Sequence, residues 1–219
     1  MADLKLVPVP TRILTNKDNI VDAIMEYAGH DITNHDIVCV AESVVAITQG
    51  RYIRPEELHI CWQARLMNRF VPGAGSMASI YGMQAAMEEE GKWNMLFSFI
   101  IGAVAKIFGK AGVFYARCRQ ASLIDDVTGT MPPFDKCLVY GPADTDRVCE
   151  EIKNATGAYG AVIADVNDLK RSAVLGKSKG INPGQIAKIL IDNPFGNDNQ
   201  KTPIAVSYTH LTLPTILLV

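Results

Sequence analysis

The sequence lacks the motifs that mark the commonest nucleotide and metal sites. It contains neither GxxxxGK[ST] nor GxGxxG, which excludes a P-loop and a classical dinucleotide-binding fold. Its five cysteines show no CxxC spacing, and its four histidines show no metal-ligand spacing. A zinc site of the usual kind is therefore not expected, and any nucleotide or metal site has to be built from other residues.

Strong charge and long apolar runs are also missing. The formal net charge is −2, so the chain has neither a basic field for nucleic acid nor an acidic tail. The most apolar stretch, residues 93–108, is shorter than the roughly 20 residues of a membrane-spanning helix. We therefore expect no nucleic-acid partner and no membrane segment, and we interpret residues 93–108 as a core or dimer-interface helix.

The composition that is present is globular, with 48% apolar and 20% charged residues. The N-terminus, MADLKLVPVP, has no basic region followed by an apolar core, so it is not predicted as a signal peptide. An odd number of scattered cysteines indicates reduced thiols. Together these features predict a cytoplasmic protein with a single α/β domain over residues 1–206.

Apolar runs and capping residues predict alternating strands and helices. Strands are expected at 4–9, 37–40, 112–118, 158–164 and in the late segment TPIAV. Helices are expected at 19–28, 55–70, 77–90, 93–108, 144–157 and 182–192. The helical stretch at about 55–110 is interpreted as an insertion. Residues 207–219, SYTHLTLPTILLV, are predicted to be a non-native tail, with an authentic apolar edge strand as the alternative.

Acidic residues follow three apolar runs: Glu42, the pair Asp125-Asp126, and Asp165. Carboxylates at strand ends can converge on one cleft and hold Mg²⁺ or Mn²⁺, which prefer oxygen ligands. The alternative is that they are solvated turn residues, because acidic residues favour turns. Two alternatives also stand for Arg51 and Arg54, which contact either an anionic substrate or solvent. The loop 193–200 either binds a phosphate through its backbone amides or only connects a helix to the final strand.

Four segments together carry a resemblance to a known family: PTRIL at 10–14, AESVVAITQGR at 41–51, LIDDVTG at 123–129 and AVIADVND at 161–168. In order and spacing across residues 4–206, the chain resembles the coenzyme F420 gamma-glutamyl ligase family (F420-0:L-glutamate ligase). The resemblance implies an F420 ligase-like α/β fold with a mixed sheet, and a homodimer with the active site near the subunit interface.

The resemblance also implies a reaction. Members of the family use GTP and a divalent metal, Mg²⁺ or Mn²⁺, to join glutamate to a carboxylate of the coenzyme precursor. The acceptor carboxylate is phosphorylated to an acyl phosphate, which the glutamate amine attacks. We therefore expect a small-molecule carboxylate and an amino acid as substrates, with GTP as co-substrate and ATP as an alternative nucleotide.

Carried over by position, the resemblance places a metal ion on Asp125 and Asp165. It identifies no catalytic residue. It assigns nucleotide binding to residues near the chain start, after the second strand and in two later loops: Thr11, Arg12, Ile13, Leu14, Glu42, Ser43, Thr128, Asn193, Gly196, Asn197 and Asp198.

The chain departs from the family pattern at three positions. Ile47 stands where the family has a lysine, Val166 where it has a threonine or serine, and Thr128 where it has an asparagine. Isoleucine cannot replace an ammonium group beside a triphosphate, and valine offers a metal no oxygen. Two hypotheses therefore stand: a metal- and nucleotide-dependent amide-bond ligase, or a catalytically altered relative that binds a small anionic ligand or acts as an interaction protein.

Overall fold

The computed structural model describes residues 6–71, 76–124, 132–167, 171–196 and 200–207. The chain divides into two compact units. Unit 1 contains the residues up to Gly50 and those from Pro142 onward, and unit 2 contains Arg51–Gly141. The helices of the predicted insertion at about 55–110 all lie in unit 2. A single domain over residues 1–206 stays a prediction.

The strands and helices are numbered in chain order. The strands are β1 (Val7–Val9), β2 (Ile37–Ala41), β3 (Tyr52–Ile53), β4 (Leu138–Val139), β5 (Gly160–Asn167), β6 (Arg171–Lys177) and β7 (Ile204–Val206). The helices are α1 (Ile20–Tyr27), α2 (Glu42–Thr48), α3 (Trp62–Asn68), α4 (Ile80–Glu90), α5 (Lys92–Ile107), α6 (Val113–Arg117), α7 (Thr145–Thr156) and α8 (Pro183–Ile189).

Unit 1 is built on a five-stranded sheet with the order β1-β7-β2-β5-β6. The central strands β2 and β5 are parallel, and the other neighbours are antiparallel. The predicted α/β fold with a mixed sheet is confirmed. Both faces of the sheet are covered, with α1, α2 and α7 contributing to the apolar cluster on one face and α8 to the cluster on the other.

Burial on both faces explains why β2 is apolar at every position rather than alternating. Val38 and Val40 point into the cluster that contains residues of α1, α2 and α7, whereas Cys39 points toward α8. Two buried serines satisfy the backbone at the opposite end of the parallel strands. The Ser207 hydroxyl accepts the Ile37 amide at 2.8 Å, and the Ser178 hydroxyl accepts the Ala161 amide at 2.9 Å.

Unit 2 is mainly helical, with one two-stranded ladder between β3 and β4. Its core is rich in methionine and includes Met67, Met83, Met87 and Met95, each of which is almost fully buried. Methionine is flexible and fills irregular gaps in a core.

Two predictions in this unit are wrong. Residues 112–118 were expected to be a strand, but α6 begins after Gly112, which adopts φ 80°, and its Phe114 ring packs 6.1 Å from the Phe99 ring of α5. Tertiary packing here overrides the β-propensity of the segment. The helix expected over 55–70 is one 3₁₀ turn at Pro55–Glu57 followed by α3, because the buried Gln84 side chain accepts the Cys61 amide at 3.0 Å and stabilises the break.

Within the described residues, no helix is both long enough and apolar enough to cross a membrane. The longest helix is α5, with 16 residues, and it carries the apolar stretch at 93–108.

Candidate functional site

The strand directions in unit 1 bring several polar segments to one edge of the sheet. The carboxyl ends of β1, β2 and β5 and the amino ends of β6 and β7 all lie there, because β7 and β6 run antiparallel to their neighbours. We call this the polar edge, comprising residues 10–14, 42–43, 165–167, 171–172 and 200–203. Ligands of α/β sheets bind outside the carboxyl ends of the strands.

Two acidic residues stand side by side at the polar edge. Ala41 of β2 pairs with Ala164 of β5 in parallel register. Glu42, the first residue of α2, and Asp165 of β5 directly follow this last pair, so they continue from adjacent strands, which lie about 4.8 Å apart. Register alone thus brings together two of the acidic positions that the sequence predicted to converge.

The two carboxylates have different environments. Glu42 is buried and opens α2, where the positive end of the helix suits a negative charge. Asp165 is exposed as a residue, but partial burial of its carboxyl raises its pKa above the usual range. Asp165 therefore releases its proton less readily than an ordinary surface aspartate.

The segment after β1 reaches the polar edge through its backbone. The Thr11 amide donates to the Lys201 carbonyl at 2.8 Å, and the Thr11 hydroxyl donates to the Arg12 carbonyl at 2.7 Å. The Arg12 guanidinium contacts both carboxylate oxygens of Asp18, at 2.6 and 2.9 Å, which holds the pKa of Asp18 well below its usual range. Arg12 is thus already engaged by a protein carboxylate.

The two remaining predicted residues of this segment differ in exposure. Leu14 is 3% exposed and belongs to the apolar core, whereas Ile13 is 36% exposed. Only Ile13 of this pair therefore presents its side chain to a ligand.

The loop predicted to bind a nucleotide leads into β7 and hence to the polar edge. Asn193 and Gly196 both adopt left-handed backbone, with φ 48° and 70°. The backbone conformation of Gly196 favours glycine, because other residues rarely adopt a φ of 70°. The Thr202 hydroxyl donates to the Phe195 carbonyl at 2.6 Å.

Of the other predicted site residues, only Ser43 lies in the part of the chain that the structure describes. Ser43 is the second residue of α2 and is half-buried. Asp125, Thr128, Asn197 and Asp198 lie outside the described residues, so their assignments stay predictions. Within the described ranges, no group of three or more His, Cys, Asp or Glu side chains could hold a metal ion.

A comparison with protein-family models decides the family. The model of the F420-0:Gamma-glutamyl ligase family matches residues 8–180, well over half of the chain. The chain belongs to the F420-0:gamma-glutamyl ligase family. Membership supports a ligase-like function. The match includes Glu42 and Asp165 and ends before the loop 193–200. No curated protein matches the chain.

Two of the residues that depart from the ligase family pattern, Ile47 and Val166, have apolar side chains that are buried or partly buried. Ile47 is 7% exposed on α2, so the side chain that replaces the family lysine is packed inside the protein. Val166 packs against the apolar cluster of α8, whereas strand alternation puts Asp165 on the opposite face.

Lys201 is a cation at the polar edge that the sequence pattern did not predict. Lys201 is exposed, and its carbonyl accepts the Thr11 amide, which fixes its backbone beside the end of β1. The only sequence signal is its position just before the final strand. This position indicates the polar edge only when β7 is known to lie between β1 and β2 in the sheet.

The QGR end of the family segment 41–51 has a structural role. The Gln49 side chain donates to the Ala143 carbonyl at 3.0 Å and accepts its amide at 2.8 Å. The Arg51 guanidinium donates to the Gly141 carbonyl at 2.6 Å, pairs with Glu89 and lies 5.8 Å from the centre of the Tyr140 ring. The sequence left open whether Arg51 contacts an anionic substrate or solvent, but the structure shows that its partners are groups of the protein itself.

Proposed function

We propose that the protein is a metal- and nucleotide-dependent ligase that forms an amide bond between an amino acid and a small carboxylate. Glutamate is the amino acid that the family relationship favours, and GTP the nucleotide, with ATP as the alternative. The observation that carries the proposal is the parallel register of β2 and β5, which makes Glu42 and Asp165 neighbours at the polar edge. The segment after β1 and the loop before β7 reach the same edge.

The proposed reaction has two steps. An oxygen of the acceptor carboxylate attacks the γ-phosphorus of the nucleotide, which forms an acyl phosphate and releases the nucleoside diphosphate. The amine of the amino acid then attacks the acyl carbon, phosphate leaves with the bonding electron pair, and the amine loses a proton. Both steps depend on holding the reacting groups in line, which is the role we assign to the polar edge.

The donors at the polar edge suit a hard cation. Asp165 offers carboxylate oxygens, the donors that Mg²⁺ and Mn²⁺ prefer. We propose Asp165 as a metal ligand, with Asp125 as a further ligand on the strength of the family resemblance. A bound divalent cation would offset the negative charge of the phosphates.

Lys201 supports the nucleotide part of the proposal. The family lysine is replaced by the buried Ile47, which leaves α2 without that ammonium group. Lys201 offers an exposed ammonium from a residue fixed at the same edge. We propose that it meets the phosphate charge, a task that a flexible lysine performs as a point charge.

Calorimetry of the full chain with GTP or ATP, each with Mg²⁺ or Mn²⁺, tests the proposal. We expect binding that requires the metal and is weakened at least about tenfold by Asp165→Asn or Lys201→Gln, since each removes a charge-assisted contact. Asp31→Asn and Lys188→Gln serve as controls, because both residues are exposed and lie outside the polar edge. Absence of nucleotide binding under all four conditions would contradict the proposal.

The second candidate is a relative that binds a small anion without catalysis, which the settings of Ile47 and Val166 favour. Release of phosphate from the nucleotide in the presence of glutamate separates the two. Turnover that Asp165→Asn abolishes would remove the second candidate. Binding of a small carboxylate or phosphate without any nucleotide turnover would support it.

A further inference from the structure

A buried hydroxyl at the polar edge lacks a hydrogen-bond partner among the described residues. It is the Oγ atom of Ser172, on the edge strand β6. Burying a hydroxyl without a partner costs free energy, so proteins pair nearly all such groups. The two fully buried serines of unit 1, Ser178 and Ser207, follow this rule, since each hydroxyl accepts a backbone amide. Ser172 is an exception that a bound ligand explains.

Strand register places this hydroxyl on the face of the sheet that α8 covers. Ser172 lies opposite Val166 in the antiparallel pair of β5 and β6, and residues directly opposite point to the same face. Val166 and Val174 both pack against the apolar cluster of α8. Asp165 pairs with Ala173, and strand alternation puts its carboxyl on the other face. The carboxyl of Asp165 and the hydroxyl of Ser172 therefore lie on opposite faces of the polar edge.

The surroundings of the Ser172 hydroxyl are apolar. Phe195, in the loop before β7, is 8% exposed and belongs to the same cluster as Val166. Ile189, at the end of α8, also packs against this cluster. Apolar side chains with a few polar atoms line the sites that bind the uncharged part of a ligand, whereas phosphates are bound by cations and several donors. The face that carries Ser172 therefore suits a nucleoside better than a triphosphate.

We propose that Ser172 binds the nucleoside part of the nucleotide, with its hydroxyl bonded to a polar atom of the ribose or the base. The phosphates then extend to the other face, where Asp165 offers carboxylate oxygens to a metal ion. This inference rests on the proposed function, and it adds the orientation of the nucleotide across the end of β5.

Calorimetry of the full chain separates the contribution of the nucleoside from that of the phosphates. The ligands are GTP, ATP and inorganic tripolyphosphate, each with Mg²⁺, because tripolyphosphate has three linked phosphates and no nucleoside. Ser172→Ala should weaken binding of the preferred nucleotide about tenfold, since a polar atom of the ligand loses its partner. Binding of tripolyphosphate should stay unchanged.

Urea unfolding of the ligand-free protein, followed by circular dichroism, tests whether the hydroxyl already has a partner. Ser172→Ala should leave the midpoint unchanged or raise it, because it removes a buried hydroxyl that makes no hydrogen bond with the described residues. Ser178→Ala is the matched control, because the Ser178 hydroxyl accepts the Ala161 amide. The midpoint of this control should fall, whereas its affinity for the nucleotide should equal that of the wild type.

Three results overturn the inference and leave the ligase proposal standing. The first is a Ser172→Ala protein that binds the nucleotide as tightly as the wild type. The second is an equal loss of affinity for the nucleotide and for tripolyphosphate, which would assign the hydroxyl to the phosphates. The third is a lower unfolding midpoint for Ser172→Ala, which would mean that a buried water or the protein already pairs the hydroxyl. Failure of the wild type to bind either nucleotide contradicts the ligase proposal itself, and this inference with it.

Discussion

Replacing Arg51 by alanine separates a structural role of the family segment from a role in ligand binding. Arg51 donates to the Gly141 carbonyl, pairs with Glu89 and lies over the Tyr140 ring, all inside unit 2. The side chains of Arg51 and Glu89 are 23% and 28% exposed, so solvent screens their attraction only in part. We therefore expect Arg51→Ala to destabilise unit 2 rather than to act first on substrate binding.

The expected cost follows from the three contacts. A hydrogen bond from a charged donor contributes about 1.5–3 kcal/mol. The ion pair adds up to about 1 kcal/mol, and the cation–π contact about 0.5–1 kcal/mol. Since the contacts share one side chain and are not additive, we expect a loss of about 2–4 kcal/mol in the free energy of unfolding.

Both tryptophans of the chain, Trp62 and Trp93, lie in unit 2, so urea unfolding followed by tryptophan fluorescence reports on this unit. Protein concentration must be constant, since association changes apparent stability. Arg69→Ala, at an exposed position of unit 2, is the control and should leave the midpoint unchanged. An Arg51→Ala protein with normal stability but without ligand binding would refute the reasoning.

Three further outcomes are expected in unit 1, each measured by urea unfolding with circular dichroism. Ser207→Ala removes the acceptor of the Ile37 amide and should cost about 1–3 kcal/mol, and an unchanged midpoint would mean that another acceptor replaces the hydroxyl. Gly176→Ala places a Cβ 2.3 Å from the Thr145 Cβ and should lower the free energy of unfolding by about 1–3 kcal/mol. Gly184→Ala is the control, because a Cβ at Gly184 meets no atom closer than 3.5 Å. Because the pKa of Asp165 is raised in the folded state, the wild type should lose stability relative to Asp165→Asn as pH rises through that pKa, whereas the difference between the two proteins should be constant at more acidic pH. A stability difference that does not vary with pH would contradict this cause.

Much of unit 1 could be predicted from local sequence. The apolar runs of β2 and β5 require burial on both faces, which indicates central strands of a covered sheet. Asn19 caps α1, and Asn182 before Pro183 caps α8, as their sequences indicate. The positions of Glu42 directly after β2 and of Asp165 near the end of β5 were predicted in the same way, because each residue follows an apolar run.

What could not be predicted depends on contacts between distant parts of the chain. Residues 112–118 have strand-forming composition, and only the packing of Phe114 on α5 makes them helical. The place of Lys201 at the polar edge requires β7 to insert between β1 and β2, a choice of strand order that no local pattern contains. The engagement of Arg12 by Asp18 required side-chain geometry rather than residue type.

The two hydrogen bonds between the Gln49 amide and the Ala143 backbone have a topological consequence. They connect the segment where the chain leaves unit 1, after Gly50, to the segment where it returns, at Pro142. Residues 51–141 are therefore an insertion in unit 1 whose two ends are held together by contacts within unit 1. These contacts help to offset the entropy cost of closing such a long loop, so the inserted residues do not have to offset all of it. A short turn that joins Gly50 to Pro142 would keep the tie, and a gene shortened in this way would encode the mixed sheet and its polar edge as a minimal protein.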